Sequence, residues 1–151
     1  MSMTQSDTSH AATGPEGLGG VGEEVVLEFA AGLPGFPASR HFRVEDLGEG
    51  LQPFCRIRSV SEPTIAFTVV PPGLIFPNYT VEIDDEHVTQ LGLTSAEDVI
   101  TLVIVTTPRP PQPPTANLLG PIVINRVTRN AAQVVQHRSS HGVAEPIGSG
   151  D

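Results

Sequence analysis

Apolar and polar residues alternate with a period of two along much of the middle of the chain. Within residues 79–83 the odd-numbered positions are apolar and the even-numbered ones polar, and residues 41–45 and 55–58 alternate in the same way. This period is typical of half-buried β-strands. Residues 65–70 and 99–105 are instead almost entirely apolar and rich in β-branched side chains. They predict strands that are covered on both faces.

One short helix is predicted between these strands. The acidic triplet at residues 84–86 places carboxylates where the dipole of a helix N-terminus favours negative charge. Val88 and Leu91 follow on one face, and Gly92 is suited to end the helix. Residues 94–97 have the spacing of a capping box and predict one more helical turn before the next strand.

The chain also divides by composition. Residues 1–22 and 138–151 contain few large apolar side chains and are predicted to be disordered tails. Residues 23–137 hold nearly all the Val, Ile, Leu and Phe and predict one β domain, in which residues 108–114 form a stiff proline-rich loop. Val123 and Ile124, with the segment after them, predict a hairpin. The expected fold is mainly β, a single small antiparallel β-barrel-like domain with one short helix.

Charge narrows the classes of function. The 151 residues carry 17 acidic side chains and 8 basic ones, a formal net charge of −9, and every base is arginine. An acidic chain does not neutralise phosphates, so we expect no direct contact with nucleic acid. The same charge attracts a basic protein partner. We expect no membrane span and no export signal, and hence a cytoplasmic protein.

The sequence contains few of the residue patterns that catalysis requires. The sequence has no nucleophile elbow, phosphate-binding glycine loop or His-Glu-x-x-His helix. Cys55 is interpreted as a small buried hydrophobe, and it rules out an internal disulfide because it has no partner cysteine. We therefore predict a protein that is not an enzyme and holds no metal or cofactor. A hydrolase would require His41, His87 and a carboxylate to converge in one cleft.

Four blocks of the sequence resemble the flagellar assembly factor FliW family, in the order the family has them. They are Leu-Pro-Gly-Phe at residues 33–36, Ile-Phe-Pro-Asn-Tyr at 75–79, residues 91–99 with 104–108, and the segment TANLLGPIVINR at 115–126. The last block is similar almost residue for residue. Together they span most of the predicted domain.

The resemblance implies a β-barrel-like, non-catalytic protein of the bacterial cytoplasm, which we expect to be a monomer. It also implies two partners: flagellin, and the translational regulator CsrA, which represses flagellin translation. When flagellin is secreted, the freed assembly factor captures CsrA and translation resumes. The alternative that the residues leave open is a β-barrel that binds a small apolar ligand.

Two stretches are candidates for partner binding. The acid-rich stretch after residue 81 either binds CsrA or only caps a helix and forms a polar, solvent-exposed face. The apolar residues of the strongest block either receive an amphipathic flagellin helix or pack in the core, and Asn125 is also suited to cap the hairpin turn. The candidate residues are Phe76, Asn78, Tyr79, Glu82, Asp84, Asp85, Glu86, Asn117, Leu118, Leu119 and Asn125.

Overall fold

The computed structural model describes residues 3–6, 25–33, 35–51, 53–106, 113–136, 142 and 144–147. In chain order the elements are β1 (Met3–Ser6), β2 (Val25–Phe29), β3 (His41–Asp46), β4 (Cys55–Ser59), β5 (Ala66–Val70), β6 (Thr80–Ile83), α1 (Asp85–Leu91), β7 (Val99–Thr106), β8 (Thr115–Ala116), β9 (Ile122–Asn125), β10 (Asn130–Gln133) and β11 (Glu145–Pro146). Three short 3₁₀ turns, Glu49–Leu51, Pro72–Leu74 and Ala96–Asp98, lie between them.

Seven strands form a closed barrel in the order β7-β5-β4-β3-β2-β10-β9, and the pairing of β9 with β7 completes the ring. Every neighbouring pair is antiparallel except β10 with β2, which run parallel. Directions around a closed ring can alternate throughout only if the number of strands is even, so seven strands require at least one parallel pair. The predicted mainly β, barrel-like domain with one short helix is confirmed, and the parallel pair is the feature the sequence pattern did not indicate.

Strand alternation sorts the apolar side chains into two cores. The inner core fills the barrel and receives a buried side chain from each of the seven strands: Leu27, Phe42, Ile57, Val69, Leu102, Ile124 and Ala131. The outer core lies against the outside of β7 and β9 and includes Val99, Val103, Val105 and Val123. Because β7 contributes to both cores, the prediction that residues 99–105 form a strand covered on both faces is confirmed. In β5 only the last two residues, Val69 and Val70, are fully buried.

The helix begins and ends where the sequence predicts. Asp84 is its N-cap, and the side chain accepts a hydrogen bond from the backbone N–H of His87 at 2.8 Å. Gly92 ends it in the left-handed conformation, with φ of 66°. The second start signal gives only the 3₁₀ turn Ala96–Asp98, and its cap is Ser95 and not Thr94.

Two short strands lie within the segments predicted to be disordered tails, and most of the remaining residues of those segments lie outside the described residues. Strand β1 pairs antiparallel with β6, and β11 pairs with β8. Both strands satisfy backbone groups on an otherwise open strand edge, a role that needs no apolar side chains and so leaves no trace in composition. Of the predicted proline-rich loop at 108–114, residues 108–112 lie outside the described residues.

We expect Gly92→Ala to lower the free energy of unfolding by about 1 kcal/mol, because an L side chain is strained at positive φ. The site has room for a Cβ, whose nearest neighbour would be Asn125 Nδ2 at 3.9 Å, so only the backbone conformation should contribute. Urea unfolding measures the loss. Gly50→Ala is the matched control, since Gly50 also has open space but no positive φ; an equal loss in both variants would contradict the explanation.

Candidate partner-binding surface

Strand β6 and helix α1 form a layer on the outside of the barrel, called here the β6–α1 layer (residues 79–92). Its apolar side chains, Val81, Ile83 and Leu91, are buried in the outer core. Thr80 and Glu82 alternate with them and are exposed. The layer therefore has one face that packs on the barrel and one polar face that points to solvent.

Two polar side chains attach strand β6 to the rest of the chain. The hydroxyl of Tyr79 donates a hydrogen bond to the carbonyl oxygen of Leu118 at 2.6 Å. The amide of Gln136 accepts from the backbone N–H of Glu82 at 2.8 Å and donates to its carbonyl oxygen at 2.9 Å. Gln136 thus pairs with β6 as a neighbouring strand would. Its role was not foreseen from the sequence, where it resembles any other polar residue at the end of a strand.

Asn125 attaches the helix. Its Nδ2 donates to the carbonyl oxygen of Leu91 at 2.8 Å and to that of Gly92 at 3.3 Å, at the end of α1. Its Oδ1 accepts from the backbone N–H groups of Val127 at 2.9 Å and Thr128 at 3.2 Å, in the hairpin turn. The side chain is 3% exposed. The structure therefore gives Asn125 the turn-capping role, and adds a contact with the helix end.

The carboxylates of the layer lie on its solvent face. Glu82, Asp84, Asp85 and Glu86 are all exposed, and Asp84 also contacts the Nδ1 atom of His87 at 2.8 Å. Residues 82–98 contain six acidic residues and no lysine or arginine. Further along this stretch Asp98 forms an ion pair with Arg126 at 3.0 Å. The four candidate acids are thus brought together on one short β-α unit, as an exposed negative surface.

The candidate apolar residues are divided by the structure. Leu118 is 0% exposed and Tyr79 only 3%, so neither lies on a surface patch as the docking hypothesis required. Phe76 and Leu119 are partly buried, and Asn78 is exposed. Asn117 uses its Oδ1 to accept hydrogen bonds from the backbone N–H groups of Leu119 and Gly120. Phe76, Asn78, Asn117 and Leu119 therefore keep some exposure, and of these Asn117 is engaged in the hydrogen bonds just described.

Comparison with known proteins agrees with this architecture. The family model described as FliW protein matches residues 12–147. The chain belongs to the FliW family. It is 38% identical over 126 residues to the flagellar assembly factor FliW of Bacillus subtilis, covering 83% of this chain and 87% of that one. With the flagellar assembly factor FliW of Bacillus licheniformis it is 39% identical, over the same shares of both chains.

The fold is similar to a solved member as well. A crystal structure of the flagellar assembly factor FliW superimposes with a TM-score of 0.75 at 33% sequence identity, over 80% of this chain and 84% of the other. None of the helices in the described part of this chain is long and apolar enough to cross a bilayer.

The side chains considered for catalysis lie apart from the β6–α1 surface or have structural partners. Cys55 is buried inside the barrel. His41 is exposed on β3, and His87 contacts Asp84 on α1. Within the described residues, no group of three or more His, Cys, Asp and Glu side chains is placed to hold a metal ion. His10, His137 and His141 lie outside the described residues.

The barrel interior bears on the ligand-binding alternative. Its centre is occupied by side chains such as Phe29, Phe42 and Ile57, each completely buried. Phe29 and Phe42 pack edge to face with their ring centres 5.4 Å apart. An apolar ligand would have to displace such side chains. A cleft of about 340 Å³ lies instead on the outside, between the turn at Leu33, helix α1 and β10.

Asn125→Asp tests the attachment of the helix to the hairpin. The substitution keeps the acceptor for the hairpin turn but replaces the donor to Leu91 with a buried carboxyl group. Burial raises the pKa of such a group, so folding favours its protonated form and stability falls as pH rises from about 4 towards the raised pKa. We expect a loss of about 3 kcal/mol at pH 8 and a smaller one at pH 5, measured by urea unfolding.

Asn78→Asp is the matched control for Asn125→Asp, because Asn78 is exposed. It should change the free energy of unfolding by less than about 0.5 kcal/mol at either pH. A pH-independent loss in Asn125→Asp would show that the carboxyl group reaches solvent, and would contradict the buried contact with Leu91.

The Cys55 thiol should be unreactive in the folded protein. Burial, with a smaller contribution from Asp46, raises its pKa to about 12, so almost none of the thiol is ionised at pH 8. Alkylation by iodoacetamide at pH 8 should proceed only after urea unfolding. Since the folded state retains this proton when the unfolded chain loses it, the free energy of unfolding should also fall as pH rises above about 9. Rapid alkylation without urea would contradict both expectations.

Proposed function

We propose that this FliW-family protein binds flagellin and the RNA-binding regulator CsrA, and thereby relieves CsrA repression of flagellin translation. Flagellin occupies the protein while it accumulates in the cell. Once flagellin is exported, the free protein captures CsrA, and the flagellin message is translated again. The protein acts without catalysis, cofactor, nucleic acid or membrane, as a monomer in the cytoplasm.

The observation that carries this proposal is family membership over most of the chain. Relatives that are 38% and 39% identical are named flagellar assembly factors, and the identity extends over 83% of this chain. The sequence blocks that resemble the family include the buried attachments of the β6–α1 layer, Tyr79 and Asn125. The surface carried by that layer is therefore positioned by residues shared with the family pattern.

Electrostatics supports a role for the layer in CsrA binding. Its solvent face carries Glu82, Asp84, Asp85 and Glu86 on a protein with a net charge of −9. Such a surface increases the rate of encounter with a basic partner and favours it over acidic ones. Exposed charges are screened within about 10 Å at 0.1 M salt, so affinity should depend on ionic strength.

The remaining exposed apolar residues support a separate role in flagellin binding. Phe76 and Leu119 are partly exposed and Asn78 is exposed, and the hydrogen bond from Tyr79 to the carbonyl oxygen of Leu118 joins the two chain segments that carry them. An amphipathic helix binds such a patch through its apolar face. In this proposal Phe76, Asn78 and Leu119 contact flagellin, while Tyr79, Asn117, Leu118 and Asn125 hold the contacting segments in place.

Calorimetric titration with flagellin and CsrA from the same organism tests the proposal. We expect binding to both, and at least about a threefold loss of CsrA affinity between 50 and 300 mM salt because exposed charges are screened. Binding to flagellin alone would remove the regulatory part of the proposal. Binding to neither would overturn it.

Matched variants test the acidic surface itself. Glu82→Gln with Glu86→Gln removes two exposed charges from the β6–α1 layer, and should weaken CsrA binding about three- to tenfold at low salt. The control, Glu28→Gln with Asp46→Asn, removes two exposed charges from barrel strands, and the new Asn retains an acceptor for the backbone N–H of Gly48. Equal losses in both double variants would mean that only net charge matters.

A further inference from the structure

Strand β6 has two edges, and they are satisfied in different ways. On one edge the amide of Gln136 binds both backbone groups of Glu82. Backbone groups of successive residues in a strand point to opposite edges. The N–H and C=O groups of Val81 and Ile83 therefore point to the other edge, where β1 pairs with β6.

Strand β1 is the occupant of that edge. Its register places Gln5 opposite Val81 and Met3 opposite Ile83, the two positions of β6 whose backbone groups face it. In antiparallel pairs such opposed residues exchange two hydrogen bonds. Residues 3–6 precede residues 12–147, the segment that the family model matches. Strand β1 thus lies outside the segment that the family model matches, whereas the edge of β6 with which it pairs lies inside that segment.

Charge distinguishes the occupant from its surroundings. Residues 3–6 are Met, Thr, Gln and Ser, none of which carries a charge. The edge lies beside exposed Glu82 and is followed by Asp84, Asp85 and Glu86. Main-chain hydrogen bonds account for the affinity of an added strand, and they are the same for any sequence. A basic strand would make those bonds and add a favourable interaction with the carboxylates that β1 lacks.

We propose that the edge of β6 that pairs with β1 is a strand-addition site for a basic, extended segment of a partner protein, and that β1 is an intramolecular occupant that this segment replaces. The proposal does not depend on which partner carries the segment. Because β1 is part of the same chain, it competes at an effective concentration in the millimolar range. A partner segment can therefore replace β1 only if it binds the edge more tightly than an uncharged strand does.

Two proline variants of the full chain test the occupancy of the edge. Gln5→Pro removes an N–H that pairs with Val81, whereas Thr4 lies opposite Glu82, whose backbone groups face Gln136, so Thr4→Pro removes none. Proline is tolerated in an edge strand where its missing N–H would face solvent. Hydrogen exchange at the Val81 and Ile83 amides should be about tenfold faster in Gln5→Pro and change less than about threefold in Thr4→Pro.

Exchange at Leu102 and Ile124 in the barrel reports whether each variant is folded, since both are completely buried. Unchanged exchange at Val81 and Ile83 in Gln5→Pro, or the same acceleration in both variants, would overturn the assignment of β1 as the occupant of the edge.

Two peptides then test the preference for a basic strand. The first has the sequence of residues 1–8, MSMTQSDT, and the second carries Thr4→Arg and Ser6→Arg, at the register positions of Glu82 and Thr80. Fluorescence anisotropy should show the arginine peptide binding the Gln5→Pro variant about fivefold more tightly at low salt. Binding should restore protection of Val81 and Ile83, and the wild-type chain should bind both peptides more weakly.

Equal affinities for the two peptides would overturn the preference for a basic segment. Binding without protection of Val81 and Ile83 would overturn the site. The glutamate contribution has its own control, since Glu82→Gln in the Gln5→Pro background should reduce the preference for the arginine peptide. All of these results are independent of whether flagellin or CsrA binds, so this proposal and the proposed function can fail separately.

Discussion

Strand β7 is apolar on both faces, and this constrains the rest of the molecule. Its inward side chains, Leu102 among them, complete the barrel core, while Val99, Val103 and Val105 point outward. Burial of one such aliphatic side chain stabilises the fold by about 1.5–3 kcal/mol. An uncovered β7 would lose that contribution and expose an apolar stripe. The β6–α1 layer contributes Val81, Ile83 and Leu91 to the outer core that covers this face, and its own solvent face becomes the surface available to partners.

The layer is held by specific polar contacts as well as by apolar packing. Tyr79, Gln136 and Asn125 each bind backbone groups in a part of the chain distant in sequence. Apolar contact alone would allow the layer to slide on the barrel, because it has little directional preference. Hydrogen bonds to particular carbonyl oxygens fix its position. This explains why three residues first considered for partner contact, Tyr79, Leu118 and Asn125, are buried: they determine where the exposed carboxylates lie.

The sequence predicted those features that depend on local pattern. The helix boundaries follow from Asp84 and Gly92, and the strand faces follow from alternation, since both signals act within a few residues. Contacts between distant segments were not predictable in this way. Which residues pair with β6 depends on which segments lie nearby in three dimensions. The amide of Gln136 finds its backbone partners 54 residues away in sequence, and the strand at residues 3–6 requires no distinctive side chain.

The placement of the candidate site was predictable only in part, for a related reason. In the block at residues 115–126, which carries most of the resemblance to the family, Leu118, Ile122, Val123, Ile124 and Asn125 are all buried. Each of these side chains must fit many neighbours in a close-packed interior, which limits the residues that can replace it. Exposed carboxylates such as Glu82 and Glu86 are under no such packing constraint, so their number and spacing can differ between chains of the same fold. The resemblance therefore identifies the scaffold and its attachments, whereas the choice of partner depends on the residues that the scaffold leaves exposed.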